Sequence, residues 1–425
     1  LVIFRLRGLL LHTGQMDADV VVIGAGALGL STALHCALAG RSVIVLDRHE
    51  AGSQASGRAA GLFKSVQADE LRTRLARRSI ELALSFAGWA GEPLEVERSG
   101  SFLLARTPAH ADYLRRELAQ SAGWGVDLQP VSPARLGEQV SYCTPVGGEG
   151  SALWCPEDVY IEEPISLIRA YAAACLRHGA EVAGNEPVVG IEVTGGQARA
   201  VQTERRRITA GAVVDAAGAW VAQVASLAGG AVPVAPVRHQ LLITGPDPGI
   251  RPSDPIVRVV DAAVYLRPAR GGLMAGGFET GALPVDPREQ PASFSTDDVP
   301  LDAGVLRHLT GQVAAEVPVA SAGPVAVHRG GLFTMSPDGR FVLGPVPGVG
   351  GLWVNSGCNG SGFSSSPALG EALAAWITGG EAPPGVAELA PSRFGPVSAE
   401  TLVTQGLWQY AHYYDPVSTG SAASR

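Results

Sequence analysis

Three glycines and an aspartate carry the first chemistry in this sequence. Gly24, Gly26 and Gly29 follow the β-branched run Val20 to Ile23, and an apolar pattern at helical spacing follows them. A second β-rich run, Ser42 to Leu46, ends on Asp47. Gly24 permits a tight turn, Gly26 lets the backbone approach a pyrophosphate, and Gly29 lets helix and strand pack closely. The phosphates then sit at a helix N-terminus, where unpaired N–H groups and the dipole attract anions. Asp47 closes the second strand where its carboxylate can accept hydrogen bonds from an adenosine ribose. Strand, glycines, helix, strand and acid in register mark a dinucleotide-binding βαβ unit. Which dinucleotide, NAD or FAD, this stretch leaves open.

The whole chain sets the limits within which that unit works. At 425 residues, 46% hydrophobic and 17% charged, it can hold two or three core-sized units. Its net charge of -8, with arginines scattered among acids, gives no footprint for nucleic acid. Arg72, Arg74, Arg77 and Arg78 lie at helical spacing and read as a solvated helix face. The five cysteines are widely spaced without a C-x-x-C pair, which argues against a disulfide framework or a metal site and fits a reducing cytoplasm. Residues before Met16 read as an upstream extension, with a targeting segment the alternative. No apolar run approaches bilayer length, so a soluble protein is expected.

Further elements must carry the rest of a site. Residues 51–65 are rich in Gly, Ala and Ser and read as a loop along the cofactor. A helix follows from about Leu71 to Trp89, then strands over Leu94 to Leu104, a helix over Ala109 to Gln120, and loop over Leu128 to Gly150. Pro164 opens an amphipathic helix, Ile165 to His178, which Gly179 ends before a strand at Glu181. Val188 to Thr194, Ala198 to Thr203 and Arg207 to Thr209 form a β-meander that leads into a buried strand, Ala212 to Ala217, and Gly218. Pro236 to Thr244, Ile256 to Val260, Ala263 to Pro268 and Gly272 to Phe278 are short strands of an antiparallel sheet, followed by a helix near Asp302 to Val313. Leu352 to Asn355 enters a second glycine-rich turn, Gly357, Gly360 and Gly362, and a helix starts near Pro367. Thr401 to Tyr414, with four aromatic residues, reads as a packed helix, and Ser418 to Arg425 as disordered.

At this point the chain resembles the D-amino acid oxidase superfamily of FAD-dependent oxidoreductases, in the branch of glycine oxidase, sarcosine oxidase and dimethylglycine dehydrogenase. The pieces that carry the resemblance run in order from about Asp17 to Phe394: GAGALG with Asp47, SGRAAG, VVDAAGAW, PVRHQLLIT, VYLRPARGGLMAGGFE, SPDGRFVLGPVP and GCNGSGFSSSPALGEALAAWI. It implies a fold of mixed α/β and α+β type: a Rossmann-like, glutathione reductase-like FAD-binding domain with an inserted substrate domain on an antiparallel sheet. The expected boundaries are 17–90, 151–232 and 325–390 for the first domain and 91–150 with 233–324 for the second. Residues 1–16 and 391–425 are then extensions.

The resemblance also implies FAD, and the second glycine-rich turn agrees, because an extended flavin needs contacts along its whole length. It assigns Gly24, Gly26, Ala27, Leu28 and Gly29 to the pyrophosphate, Asp47 and Arg48 to the adenosine end, and Ser56, Gly57, Arg58, Ala60 and Gly61 to the middle. Ala217, Gly218 and Trp220 also contact the cofactor. Gly357, Asn359, Gly360, Ser361, Gly362 and Phe363 face the isoalloxazine, where a helix dipole would stabilise charge on reduced flavin. Relatives that attach flavin covalently use a His where this chain has Arg58, or a Cys where it has Phe333, so non-covalent FAD is expected. Cys358 stays as a second attachment point to consider beside a buried bystander. The chain also ends before the folate-binding domain that relatives of dimethylglycine dehydrogenase carry, so none is expected.

The family's chemistry is oxidation of a C–N bond in an amine or amino acid, by hydride transfer to flavin and hydrolysis of the imine. A substrate carboxylate would need a cation, for which Lys64, Arg267 and Arg329 are the candidates. Lys64, the only lysine, is a substrate-facing cation or a solvated surface residue. Arg267 and Tyr265 alternate onto one strand face and could clamp a carboxylate, or Arg267 forms an outward ion pair. Arg329, beside His328, reaches the flavin or caps a loop, and His239 with Gln240 is a weaker candidate for the site. Oxygen or an electron carrier would reoxidise the flavin. The absence of a lysine on the ring-facing strands favours a carrier. A partner-dependent flavoprotein using Trp408 to Tyr414 as contact surface is the alternative, and an oligomer of like or unlike subunits is open.

Overall fold

The computed structural model describes residues 16–144 and 150–414. The expected N-terminal extension or targeting segment, and the expected disorder over Ser418 to Arg425, lie outside these residues.

The first of two eight-stranded sheets has a main path of Val342–Pro345, Leu352–Ser356, Arg207–Asp215, Ala18–Ile23, Val43–Leu46 and Glu181–Ala183. All neighbours pair parallel except the edge strand Val342–Pro345. Val20, Val21 and Val22 are buried on both sheet faces, which is why this strand is a continuous apolar run rather than an alternating one. Helices Ala27–Leu38, Pro164–Arg177 and Gly362–Gly379 share one core over this sheet. The hairpin Val188–Thr194 and Gln197–Thr203 continues from Arg207–Asp215 and shares the core on the other side.

The second sheet runs Val325–Met335, Ala235–Thr244, Gly272–Gly277, Val264–Ala269, Ile256–Val259, Ser101–Ala105, Ser151–Cys155 and Gln129–Val131. It is antiparallel except where Ile256–Val259 lies parallel to Ser101–Ala105, the seam joining the two inserted pieces. The boundaries expected at residues 151 and 325 are corrected here. Ser151–Cys155 pairs with Ser101–Ala105, and Val325–Met335 pairs along Ala235–Thr244, so both strands belong to the second sheet. Sheet membership is set by long-range pairing, and the local pattern of a strand does not carry it.

Other departures have local causes. The meander's last strand and the buried strand after it are one element, Arg207–Asp215, because Gly211 fits where a Cβ would lie 2.9 Å from the Asp19 carbonyl oxygen. Only Ser101–Ala105 of the expected strands over Leu94 to Leu104 forms, and it is buried throughout. The helix expected near Pro367 begins earlier, at Gly362. Pro367 cannot donate to the Phe363 carbonyl, and the Ser366 hydroxyl donates to it instead at 2.8 Å. The arginines on the helix Glu70–Leu84 are tied down: Arg72 to Asp69, Arg77 to Glu157, and Arg78 to Glu371. All five cysteines are free thiols. Among the described residues no helix is long and apolar enough to cross a membrane, and no group of His, Cys, Asp and Glu is placed to hold a metal ion.

Candidate active site

A cavity of about 510 Å³ runs from the carboxyl ends of the first sheet's strands to the face of the second. That is within the size range of small-molecule sites. Its first end is built by the glycine turn. Gly24 has φ +111°, and a Cβ there would lie 2.4 Å from the Ala216 oxygen. Gly29 sits behind the wall, where a Cβ would come within 1.9 Å of the Gly24 oxygen, so the helix starts hard against the turn. At Gly26 the nearest atom to a built Cβ is Ser56 Oγ at 3.1 Å, and the Ala27 amide donates to that same Oγ at 3.0 Å. A helix N-terminus thus opens on the cavity where Gly24 and Gly26 present bare backbone and Ser56 Oγ meets the first turn, an arrangement that suits a pyrophosphate.

Asp47 accepts from the Ala25 amide at 2.6 Å and the His49 amide at 2.8 Å. Burial raises its pKa while these two amides work against the rise. The carboxylate therefore ties the second strand to the glycine turn as well as lining the cavity. Arg48 lies 6.0 Å from the Trp220 ring centroid, and both line this end with Leu28, Ala217 and Gly218. In the middle, Arg58 pairs with Asp297 at 2.6 Å and lines the cavity with Ala60 and Gly61. Gly57 stands behind the wall, its built Cβ 2.5 Å from the Gly52 oxygen.

The far end combines Gly360, Ser361, Gly362 and Phe363 with the face of the second sheet. Gly357 and Asn359 support this turn from behind. Asn359 accepts from the Ser336 amide at 2.9 Å and donates to the Gly357 oxygen at 2.6 Å. Cys358 lines the cavity and accepts from the Thr334 hydroxyl at 3.3 Å.

Of the candidates for substrate chemistry, Lys64, Tyr265, His239 and Arg329 reach the cavity wall. Arg267 does not, and its expected clamp with Tyr265 is corrected. It is fully buried and donates to the carbonyls of Ala60 at 2.8 Å, Pro268 at 2.6 Å and Glu162 at 2.9 Å. Its guanidinium carbon lies 4.7 Å from the Tyr160 ring centroid, and burial lowers its pKa to about 10. The strand aims it with Tyr265, but its length carries it into the carbonyls of two loops. Lys64 is likewise not a solvated residue: it is ion-paired with buried Glu117. Burial works to depress its pKa, and the Glu117 carboxylate outweighs burial and raises it.

His239 is held between two tyrosines, with Nε2 at 2.8 Å from Tyr265 Oη and Nδ1 at 2.7 Å from Tyr410 Oη. Burial lowers its pKa to about 3, so it is neutral at physiological pH. His328 does not line the cavity, and its Nε2 lies 3.0 Å from Oε1 of Gln240, which does. Arg329 stands apart. Its Nη2 donates to the Ala59 oxygen at 3.0 Å, its Nε is buried without a partner, and it lines the cavity. Burial lowers its pKa.

Arg258, Phe278, Tyr413 and Tyr414 also line this end, and sequence reasoning missed them as site residues. Arg258 is paired with buried Asp158 at 2.9 Å. The aromatic density of residues 408–414 was a visible signal, but nothing local showed which surface it covers.

Comparison with known proteins matches residues 19–376 to a family model described as FAD dependent oxidoreductase. Mouse mitochondrial dimethylglycine dehydrogenase is 28% identical over 393 residues, covering 89% of this chain and 44% of that protein. Human mitochondrial sarcosine dehydrogenase is 29% identical over 378 residues, covering 85% of this chain and 40% of that protein. The chain therefore spans less than half the length of these relatives. Among solved structures, L-proline dehydrogenase from P. horikoshii superposes with a TM-score of 0.79 at 25% identity, covering 89% of this chain and 97% of that one.

Proposed function

We propose that this chain, which belongs to the FAD dependent oxidoreductase family, oxidises the C–N bond of a small amine that bears a carboxylate, such as an amino acid or an N-methyl amino acid. The observation that carries this reading is Arg329: a guanidinium that lines the cavity beside Tyr265 and His239 and, among the described residues, forms no ion pair with an acid. A substrate carboxylate would pair with the part of this guanidinium that lines the cavity, in a site partly closed to water. The glycine turns at the two ends and the loop Ser56 to Gly61 would hold FAD, which when bound supplies the acceptor for the hydride.

The protein's own part is orientation and proton handling. A neutral imidazole offers one donor and one acceptor, so one of the two tyrosines donates to His239 and the other accepts from it. Tyr265 is left with either a proton or a lone pair for a group in the cavity. At the far end, among the described residues, Lys64 and Arg258 each have an acid partner, which leaves Arg329 as the cation there with charge to offer. FAD is held without a covalent bond, since Arg58 and Phe333 stand at the positions where covalent relatives carry their anchors. Reoxidation by a carrier is supported by the pairing of the only lysine with Glu117; rapid reaction of the reduced enzyme with air-saturated buffer in stopped flow would count against it.

The deciding test is an anaerobic panel of amines and amino acids followed by flavin bleaching. Reduction by carboxylate-bearing amines, lost in an Arg329→Met variant, supports the proposal. Bound flavin that no member of the panel reduces overturns it and favours a partner-dependent flavoprotein.

A further inference from the structure

The helix Ala399–Ala411 lies beyond the residues matched by the family model, yet it delivers two side chains to the cavity. It is fastened at several points. Gly406 lets it close on the second sheet, where a built Cβ would lie 3.0 Å from Ala235 Cβ and 3.2 Å from Met335 Cβ. Gln409 donates to the Pro337 oxygen at 3.2 Å, and fully buried Tyr410 meets His239. The turn after the helix then sets Tyr413 parallel to Phe278, with ring centroids 4.1 Å apart and planes 9° from each other. Tyr414 meets the same ring edge-on at 5.8 Å.

From this arrangement we infer that Tyr413 and Tyr414 are specificity-determining residues, forming an aromatic end wall that limits the size of the substrate group held away from the carboxylate. The inference rests on the reading of Arg329 as the carboxylate site. The charges near this wall are self-compensated, Lys64 by Glu117 and Arg258 by Asp158. What remains to contact a ligand is phenol and phenyl surface, which suits a compact, uncharged substituent. Anchorage through Gly406, Gln409 and Tyr410 makes the wall a fixed boundary rather than a loose flap.

The test uses the FAD-loaded protein and two ligand series, carboxylates from acetate through benzoate to 2-naphthoate and the matching primary amides, with perturbation of the flavin absorbance as readout. Tyr413→Ala and Tyr414→Ala should tighten the largest ligands of both series by about tenfold and leave acetate unchanged. Tyr413→Phe should keep the original ranking, and Tyr413→Trp should shift the size limit downward. Size rankings that are the same in all of these variants overturn the inference, as does a lack of response to either series. If size limits move but carboxylates bind no better than amides, the end wall stands and the reading of Arg329 falls. Tyr413 is only half-buried, so its variants keep the test available should Tyr414→Ala fail to fold.

Discussion

Tyr410 Oη lies 2.7 Å from Nδ1 of His239, and this bond fastens the last described helix to the strand that floors the far end of the cavity. The ring is also stacked on Phe333 with centroids 4.3 Å apart, so protonation would place a charge among aromatic rings with no acid to meet it. Burial accordingly lowers the pKa to about 3 from 6.5. Above pH 6.5 the histidine is neutral folded or unfolded, and its environment costs nothing in proton binding. As pH falls below 6.5 the unfolded chain takes up a proton that the folded one refuses, and stability drops by about 1.4 kcal/mol per pH unit for this group until the folded pKa is reached. His35, lowered to about 4 by burial, adds to the same slope. Chemical denaturation between pH 7 and 4 should show this loss, and His239→Gln should make the curve shallower. A slope unchanged in that variant would mean that His239 is not the group responsible.

Arg329 gives the sharpest functional prediction. A guanidinium that receives a carboxylate contributes roughly 1.5–3 kcal/mol, so Arg329→Met should raise KM for amino acids by about ten- to a hundredfold. An amine of similar size without a carboxylate should be affected much less. Steady-state kinetics on such a matched pair checks this, and equal losses on both would assign Arg329 to the cofactor rather than the substrate.

Arg267 should behave in the opposite way. Its role is to hold the loops around Ala60 and Glu162 against the second sheet, so Arg267→Met leaves several buried carbonyls without donors. At about 1–3 kcal/mol for each group left unpaired, the variant should lose 3 kcal/mol or more of stability. Arg267→Lys should recover little, since a lysine cannot reproduce the planar fork. Denaturant titration of the two variants is sufficient to decide, and a large change in KM with unchanged stability would reverse the assignment.

These contrasts show what was legible in the sequence. The βαβ unit could be read because every requirement is local: Gly24 for its positive φ, Gly29 for close approach, and Asp47 at a strand end. The second glycine turn was also legible, although Pro367 drew attention away from the true helix start at Gly362. Which of Lys64, Arg267 and Arg329 keeps a free charge could not be read. That depends on Glu117 and on the carbonyls of Ala60 and Glu162, which long-range packing brings to them. The placement of Tyr413 and Tyr414 failed for the same reason. An aromatic cluster announces burial, but its partner Phe278 lies in a different part of the chain.

The buried pair of Lys64 and Glu117 allows a test in which structure and function separate. Lys64→Met alone leaves a carboxylate buried without its partner, which costs about 3–5 kcal/mol. The double variant Lys64→Met with Glu117→Leu removes both charges and should restore most of that loss, because exchanging a buried pair for apolar groups is close to neutral. If Lys64 serves only Glu117, the double variant should also keep carboxylate affinity near that of the parent. If Lys64 turns a remaining N–H toward the substrate, stability returns while carboxylate binding stays weak. Denaturant midpoints and flavin perturbation by benzoate, measured on the parent and these two variants, distinguish the two.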